Sequence, residues 1–200
     1  MILYGASGHG KVVAEILRGN GIGNIVFCDD NPEAILKHET IKSSRLITNE
    51  NAVIVTVGLN HIRKKIVSRN MNLSYARAIH SRAFVSDTAE ILEGSVVMAG
   101  AIINVDSKIG RHVIVNTAAV VDHDCEISDF AHVSPNATLC GGVKVGEGTW
   151  IGAGAIIKNG VTIGDWVIIA AGSVVLDNVP SNTVYVGIPA KFAKFNDKFI

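Results

Sequence analysis

The sequence predicts two units of unlike build. An α/β domain of Rossmann-like kind covers residues 1–75, and a parallel β-helix of hexapeptide repeats covers residues 76–195. Three observations predict this. An aliphatic residue recurs at every sixth position from Ile79 to Val175, seventeen positions without a break, and no helical period generates that spacing. Four residues after each stands something small or β-branched, from Ala83 through Cys125 to Val179, as expected when the first and fifth residues of a hexad point into a triangular coil. Before the repeats begin, the chain reads strand, glycine turn, helix, strand, and short links between such elements imply a parallel sheet.

Taken in order, Ile2-Leu3-Tyr4 is the first strand, and Gly5-Ala6-Ser7-Gly8-His9-Gly10 follows at once. A helix from about His9 to Arg18 places Val12, Val13, Ile16 and Leu17 at helical spacing. Ile25 to Cys28 is the second strand, ending in Asp29-Asp30. Val53 to Val57 is the third, ending in Gly58, and Ile62 to Ser68 is a second helix, on which Lys64 and Lys65 read as a solvated face. Residues 31–50 carry the least pattern. Three hexads, about 18 residues, close one coil, so the repeats make roughly five to six coils. The inward layer is thin, which accounts for the small fifth residue. Pro180 and then V-G-I-P-A-K, Val186 to Lys191, mark the end, because proline cannot donate to a sheet ladder.

Composition excludes several function classes. Lys plus Arg and Asp plus Glu both total 18, and without a basic block there is no electrostatic footprint for nucleic acid. No apolar run approaches the ~20 residues of a spanning helix, and the start lacks a basic n-region followed by an h-region. The chain is therefore expected to be cytoplasmic, with no nucleic-acid partner and no membrane insertion. Cys28, Cys125 and Cys140 are odd in number and lack C-x-x-C spacing, which suggests reduced packing residues rather than a disulfide framework or a zinc ribbon.

The glycine loop lies between a strand and a helix, where a phosphate can meet free N–H groups at the positive helix end. Asp29 and Asp30, at the end of the next strand, sit where an acid bonds a ribose hydroxyl or a base edge. The plainer reading is a tight turn followed by solvated acids. About 75 residues make only one mononucleotide-binding half, so one nucleotide is expected rather than a dinucleotide. His9 in this loop either contacts a phosphate or sugar, or caps the helix.

In the repeats, His123 stands between Asp122 and Asp124 as the third residue of its hexad, and His132 is the sixth residue of the next. Both are expected to point outward, to solvent or to a neighbouring subunit. A histidine beside an acid is a candidate general base, because imidazole titrates near neutral pH and a carboxylate holds its tautomer; the alternative is a surface histidine near acids by chance. At about 20° of turn per residue, nine residues set His123 and His132 about half a turn apart. A site using both therefore needs two chains. A metal reading competes: His112 and His132 are nearly one coil apart, and a neighbour's His123 would complete a three-histidine zinc site.

Y-G-A-S-G-H-G at 4–10, D-D at 29–30, G-L-N-H-I-R-K-K-I at 58–66, D-H-D-C at 122–125, H-V-S at 132–134 and V-G-I-P-A-K at 186–191 together resemble the bacterial nucleotide-sugar N-acetyltransferases. These are left-handed β-helix enzymes of the hexapeptide-repeat acyltransferase superfamily that acetylate UDP-4-amino-4,6-dideoxy sugars; the sialic acid O-acetyltransferases are similar. The resemblance implies a homotrimer with acetyl-CoA as cosubstrate between adjacent β-helices, no metal, and a nucleotide sugar on the front domain. It implies His123 as general base with Asp124 as its acidic partner, where the family carries Glu. It further implies acetyl-CoA contacts at His132, Ala153 and Ala171, an N–H at Gly141 facing the thioester oxygen, and nucleotide-sugar contacts at Ser7, Gly8, His9, Asp29, Asp30 and Gly58. A GDP-linked amino sugar and free sialic acid are alternative acceptors. A zinc lyase of the γ-carbonic anhydrase type and a non-catalytic solenoid scaffold remain rivals, and the nucleotide-type front domain counts against both.

Overall fold

The computed structural model describes residues 1–31, 41–44, 47–48 and 50–196. Most of the pattern-poor stretch 31–50 lies outside the described residues.

In the front domain, β1 (Ile2–Tyr4), β2 (Val26–Asp29), β3 (Ile41–Ser43), β4 (Ala52–Val55) and β5 (Ser74–Tyr75) form a parallel sheet in the order β3-β2-β1-β4-β5. β1 is central because Ile2, Leu3 and Tyr4 are all buried, the mark of a strand covered on both faces. Helix α1 (Gly8–Gly19) packs Val13, Ala14, Ile16 and Leu17 with Leu3, Phe27 and Ile54. Helix α2 (Asn60–Arg69) closes the other face, where Ile66 and Val67 meet Ile2, Tyr4, Val53 and Val55. β4 ends two residues earlier than the apolar run predicts, because the Val57 and Gly58 carbonyls turn to accept Arg63 Nη1 at 2.9 and 3.2 Å. β3 and β5 are short edge strands that the sequence pattern does not reveal.

From β6 (Ala78–Ile79) to β22 (Val174–Val175) the chain is a run of two-residue strands. Up to Ile156–Ile157, each pairs in parallel with the strand eighteen residues on: Ile102 with Val120, Lys108 with Glu126, Ile114 with His132. First and fifth hexad positions fill the interior as predicted; Ile103, Val121, Leu139 and Ile157 are fully buried, as are Ala101, Ala119, Cys125 and Ala137. The fourth position is the turn. It has positive φ at every sixth residue from Gly94 to Gly172, and the non-glycine members include Asp106, His112, Asp124, Phe130, Asn136 and Trp166 at φ 55–60°. Asp and Asn tolerate this region, whereas a bulky side chain there costs about 1–2 kcal/mol.

The β-helix presents three faces. One carries Ala78, Val96, Ile114, His132, Trp150 and Ile168 outward and is covered by the front domain, so that Val96, Met98 and Ile114 join the α1 core. A second carries Phe84, Ile102, Val120, Thr138, Ile156 and Val174. The third alternates Glu90, Lys108, Glu126 and Lys144, with an ion pair of 3.0 Å between Lys144 and Glu126. Val179 bridges to Ile163, and the covered-face sheet is then extended by β23 (Thr183–Val186) and β24 (Lys191–Phe195). Among the described residues no helix is long and apolar enough to cross a membrane.

What joins the two units is α2. Arg63 is fully buried and reaches across: Nε donates to the His112 carbonyl at 2.9 Å and Nη2 to the Phe130 carbonyl at 2.7 Å, while Nη2 also meets Asn60 Oδ1 at 2.9 Å. The Asn60 amide donates to the Gly148 and Thr149 carbonyls at 3.0 and 3.3 Å. One turn further on, Lys64 pairs with Glu147 and lies 5.4 Å above the Trp166 ring, so it departs from the solvated face predicted for it; Lys65 stays exposed. His112, Phe130 and Trp166, the bulky residues in the turn conformation, all stand on this one corner. Arg63→Lys is expected to lower unfolding free energy by about 3 kcal/mol or more, since an ammonium cannot serve carbonyls arrayed around a planar fork. Urea denaturation checks this, read as a fall in midpoint at unchanged m-value.

Candidate active site

The glycines of the first loop divide by purpose. Gly5 has φ +124°, and a Cβ there would meet Val57 Cγ2 at 2.8 Å; a Cβ at Gly10 would meet the Gly5 carbonyl at 2.6 Å. Both are needed by the fold. At Gly8 and Gly58 a Cβ would find no atom within 4 Å, so the fold itself does not require glycine at either. Ser7 is the N-cap of α1 by position, but its side chain makes no capping bond and is exposed. Asp29 accepts the Ala6 and Asn31 N–H groups at 2.6 and 2.9 Å and thereby shapes the loop. Asp30, exposed at the strand end, accepts the Tyr4 hydroxyl at 2.8 Å and that of Ser44. Burial, reinforced by Asp30, pushes the Tyr4 phenol up to about 12, so it stays a donor.

His132 corrects an expectation. It does point out of the β-helix, as its hexad position predicts, yet it is 7% exposed because the front domain covers that face. Its Nε2 lies 3.0 Å from the Asn116 amide and its ring stacks on Trp150 at 5.0 Å, while the indole N–H donates to Ser134 Oγ at 2.8 Å. Burial, then the Arg63 charge, then His9, push its pKa down to about 3. His9 is lowered to about 4 by burial and then Arg63. His9 Nε2, His112 Nδ1 and His132 Nδ1 are all buried without a close side-chain partner among the described residues, and at His132 the Gly58 backbone works against the lowering. The seam between glycine loop and β-helix therefore holds two neutral histidines. His112 does not share it. Its ring is packed edge-on to Tyr75 at 4.6 Å and stacked on Phe130 at 5.3 Å, which removes it from the three-histidine zinc arrangement.

His123 lies elsewhere, on the corner between the apolar and charged faces, half exposed. Nδ1 bonds Asp124 Oδ2 at 2.7 Å, and the bond to Asp124 followed by the charge of Asp122 raises its pKa. Asp122 is itself fixed by the Asn104 amide at 2.8 Å and the His123 N–H at 2.9 Å. One coil on, Gly141 leaves the imidazole its room: a Cβ there would come within 2.5 Å of His123 Cε1 and Nε2. The outer ring nitrogen is therefore open, oriented and basic, which suits proton acceptance. Cys125, two residues after His123, is buried, with its thiol pushed up to about 11 chiefly by burial, and is not a nucleophile. Ala153 and Ala171 stack on the remaining corner, both exposed, the Gly172 N–H bonding the Ala153 carbonyl at 2.8 Å. Within one chain the structure thus gathers Ser7, Gly8, His9, Gly58 and the two aspartates with His132 on the docked side, and sets His123 with Gly141 on a different corner.

Sequence reasoning missed Arg63, Asn116 and Trp150. Arg63 reads as one more helix cation. Trp150 was findable, because it pairs with His132 one coil away.

Two outcomes are expected. Gly141→Ala should leave the fold intact while swinging the exposed His123 ring off Asp124, so that its pKa, followed by NMR titration, falls back toward the ordinary value. Acidification should destabilise the protein. The folded state holds His9, His112 and His132 neutral, with pKa values near 4, 4 and 3, whereas the unfolded chain takes up protons at about 6.5. Stability is then full above about pH 6.5 and is lost toward pH 4, by up to about 1.4 kcal/mol per pH unit for each histidine. Urea midpoints at stepped pH check the slope, and His112→Phe should reduce it.

Residues 1–70 match the PglD N-terminal domain, and residues 142–177 match the bacterial transferase hexapeptide (six repeats). The acetyltransferase domain of PglB from Neisseria gonorrhoeae is 38% identical over 96% of this chain and 98% of its own, with a TM-score of 0.91; it has also been solved with acetyl coenzyme A. PerB from Caulobacter crescentus, solved with CoA and GDP-perosamine, is 38% identical over 96% of each chain at a TM-score of 0.90. WeeI from Acinetobacter baumannii is 27% identical, covering 96% of this chain and 98% of that one, at 0.88. The front domain and the hexad β-helix thus recur together in these proteins' architecture, and the chain belongs to the nucleotide-sugar N-acetyltransferases, acetyl-CoA-dependent enzymes of the left-handed β-helix hexapeptide superfamily.

Proposed function

We propose that the protein transfers the acetyl group of acetyl-CoA to the 4-amino group of a UDP-linked 4-amino-4,6-dideoxy sugar, with His123 as general base. The observation that carries this is the open His123 ring, braced by Asp124 and cleared by Gly141. His123 accepts the proton as the amine attacks the thioester carbonyl; such an assist is typically worth 10²- to 10⁴-fold. The Gly141 N–H is the donor assigned to the charge developing on the thioester oxygen. Direct transfer agrees with the burial of Cys125, which keeps that thiol from carrying the acetyl group.

The acceptor is assigned to the front domain. A sugar nucleotide has phosphates for the loop at Ser7, Gly8 and His9, and a ribose or base for Asp29 and Asp30, beside the open Gly58. Free sialic acid has neither. A GDP-linked amino sugar is the second reading, favoured by the PerB complex with GDP-perosamine.

The complete site belongs to a homotrimer. The second β-helix face exposes Phe84 (59%), Ile102 (36%), Ile156 (44%) and Leu176 (44%), an apolar strip of the kind that marks an interface. It is flanked by the His123 corner on one side and the Ala153–Ala171 corner on the other. Three copies packed by this face about a three-fold axis set the His123 corner of one chain beside the docked side of the next, with acetyl-CoA between them.

His123→Ala is expected to lower kcat by about two to four orders of magnitude with acetyl-CoA binding retained. Mixed trimers of His123→Ala and His132→Ala chains should regain part of the activity each lacks; a fully active monomer would refute the shared site. Asp30→Ala should weaken the nucleotide sugar by about 1–3 kcal/mol and leave acetyl-CoA unaffected. Steady-state kinetics with UDP- and GDP-linked 4-amino sugars and with sialic acid decide the acceptor. Efficient acetylation of free sialic acid, indifferent to Asp30, would overturn it.

A further inference from the structure

His123 stands on a turn whose main chain is tied to both neighbouring coils. Toward the coil before, the Ser107 hydroxyl donates to the Asp122 carbonyl at 2.6 Å and the Asp124 N–H bonds the Val105 carbonyl at 3.1 Å. Toward the coil after, the Gly142 N–H bonds the His123 carbonyl at 2.9 Å. The His123 N–H goes instead to a side chain, Asp122 Oδ1 at 2.9 Å, and that same oxygen accepts the Asn104 amide at 2.8 Å. In the other coils the place of Asp122 is held by Ser86, Asn104, Cys140 and Lys158, so a carboxylate stands there only beside His123. The Asn104 amide first, and then the His123 N–H, hold the Asp122 carboxyl below its ordinary range, which keeps it charged. Asp122 bonds the backbone of His123, whereas the ring bond, Nδ1 to Asp124 Oδ2 at 2.7 Å, is made by its neighbour. Asp122 thus acts on the ring through its charge. Of Asn104, Asp106, Cys140 and Gly141, which the adjoining coils bring to this corner, only Asp106 is a carboxylate, and it stands one coil before Asp124.

We infer that Asp122 and Asn104 are positioning residues for His123, a clamp on the main chain of its turn that also keeps a fixed negative charge beside the imidazole, while Asp124 holds the ring. The open Nε2 can meet an amine only if backbone and ring are both set, and a displacement of about 1 Å typically costs 10²-fold. The catalytic half of this inference rests on the acetyl-transfer reading above; the clamp and its charge do not.

Asp122→Asn keeps an oxygen for the His123 N–H and removes the charge, whereas Asp122→Ala removes both; the side chain is only half-buried, so neither change touches the core. NMR titration of the whole protein without substrates is expected to show a lower His123 pKa in both variants than in the wild type. A weaker base stays unprotonated to lower pH, so the acid limb of kcat/KM for the nucleotide sugar, which reports the free enzyme's base, should move to lower pH in step. KM for acetyl-CoA should hold. At the high-pH plateau kcat should fall about 10²-fold in Asp122→Ala, Asp122→Asn should restore most of that loss, and Asn104→Ala, which frees the carboxylate, should lower the plateau as well. A titration and an acid limb unchanged in Asp122→Asn, or a wild-type plateau in Asp122→Ala, would overturn the positioning role. A lowered titration in the variants of a protein whose wild type acetylates no nucleotide sugar would instead overturn the acetyl-transfer reading, and with it the use of the clamp in catalysis.

Discussion

Arg63 is the constraint on which the arrangement of the molecule depends. Its guanidinium sits at the junction of the two units with no solvent exposure, bonded to backbone carbonyls of both and to Asn60. Among the described residues no carboxylate bonds it. A charge in such a place survives only if oxygen dipoles replace the water it has lost, and a planar fork with five donors suits an array of carbonyls. Burial pushes its pKa down to about 9, still above neutral, so it remains a cation. The corner carbonyls of the β-helix are thereby tied to α2, and the glycine loop is brought to rest over the His132 face.

The same charge shapes the chemistry of the seam. Burial and Arg63 together hold His9, His112 and His132 neutral. At the far corner two carboxylates act in the opposite sense and make His123 more basic. One residue type is thus set to two tasks by environment alone, proton acceptor in the open and uncharged hydrogen-bonding group under cover. The separation is spatial as well. The β-helix distributes its hexads over three faces, and its apolar face lies between the corner that bears His123 and the corner that bears Ala153 and Ala171.

Much of this was legible in the chain. The six-residue period reports burial directly, since a position that must fit inside a narrow prism tolerates only small or aliphatic side chains; hence the first and fifth positions could be assigned from Ile79 to Val179. The fourth position was not, because its requirement is a backbone angle, and Gly, Asp, Asn, His, Phe and Trp all meet it here. His123 stood out by its flanking acids. Its dependence on Gly141 did not, because the two touch only across a coil. His132 was placed on the correct side of the strand but assigned the wrong exposure, as the repeat cannot know what lies on top of it.

By itself the sequence determined the two architectures, the position of the glycine loop at the head of α1, and the outward corner setting of His123. All of these follow from local periodicity and turn chemistry. Only the tertiary structure decided how the two units meet: that Arg63 is buried rather than solvated, that Lys64 reaches Glu147, that His112 is packing and His132 is covered, and that Asn116 and Trp150 brace it. Each of these depends on groups brought together from distant parts of the chain, and burial, which sets both the charge state of a histidine and the worth of an arginine, is a property of that meeting and of no single segment.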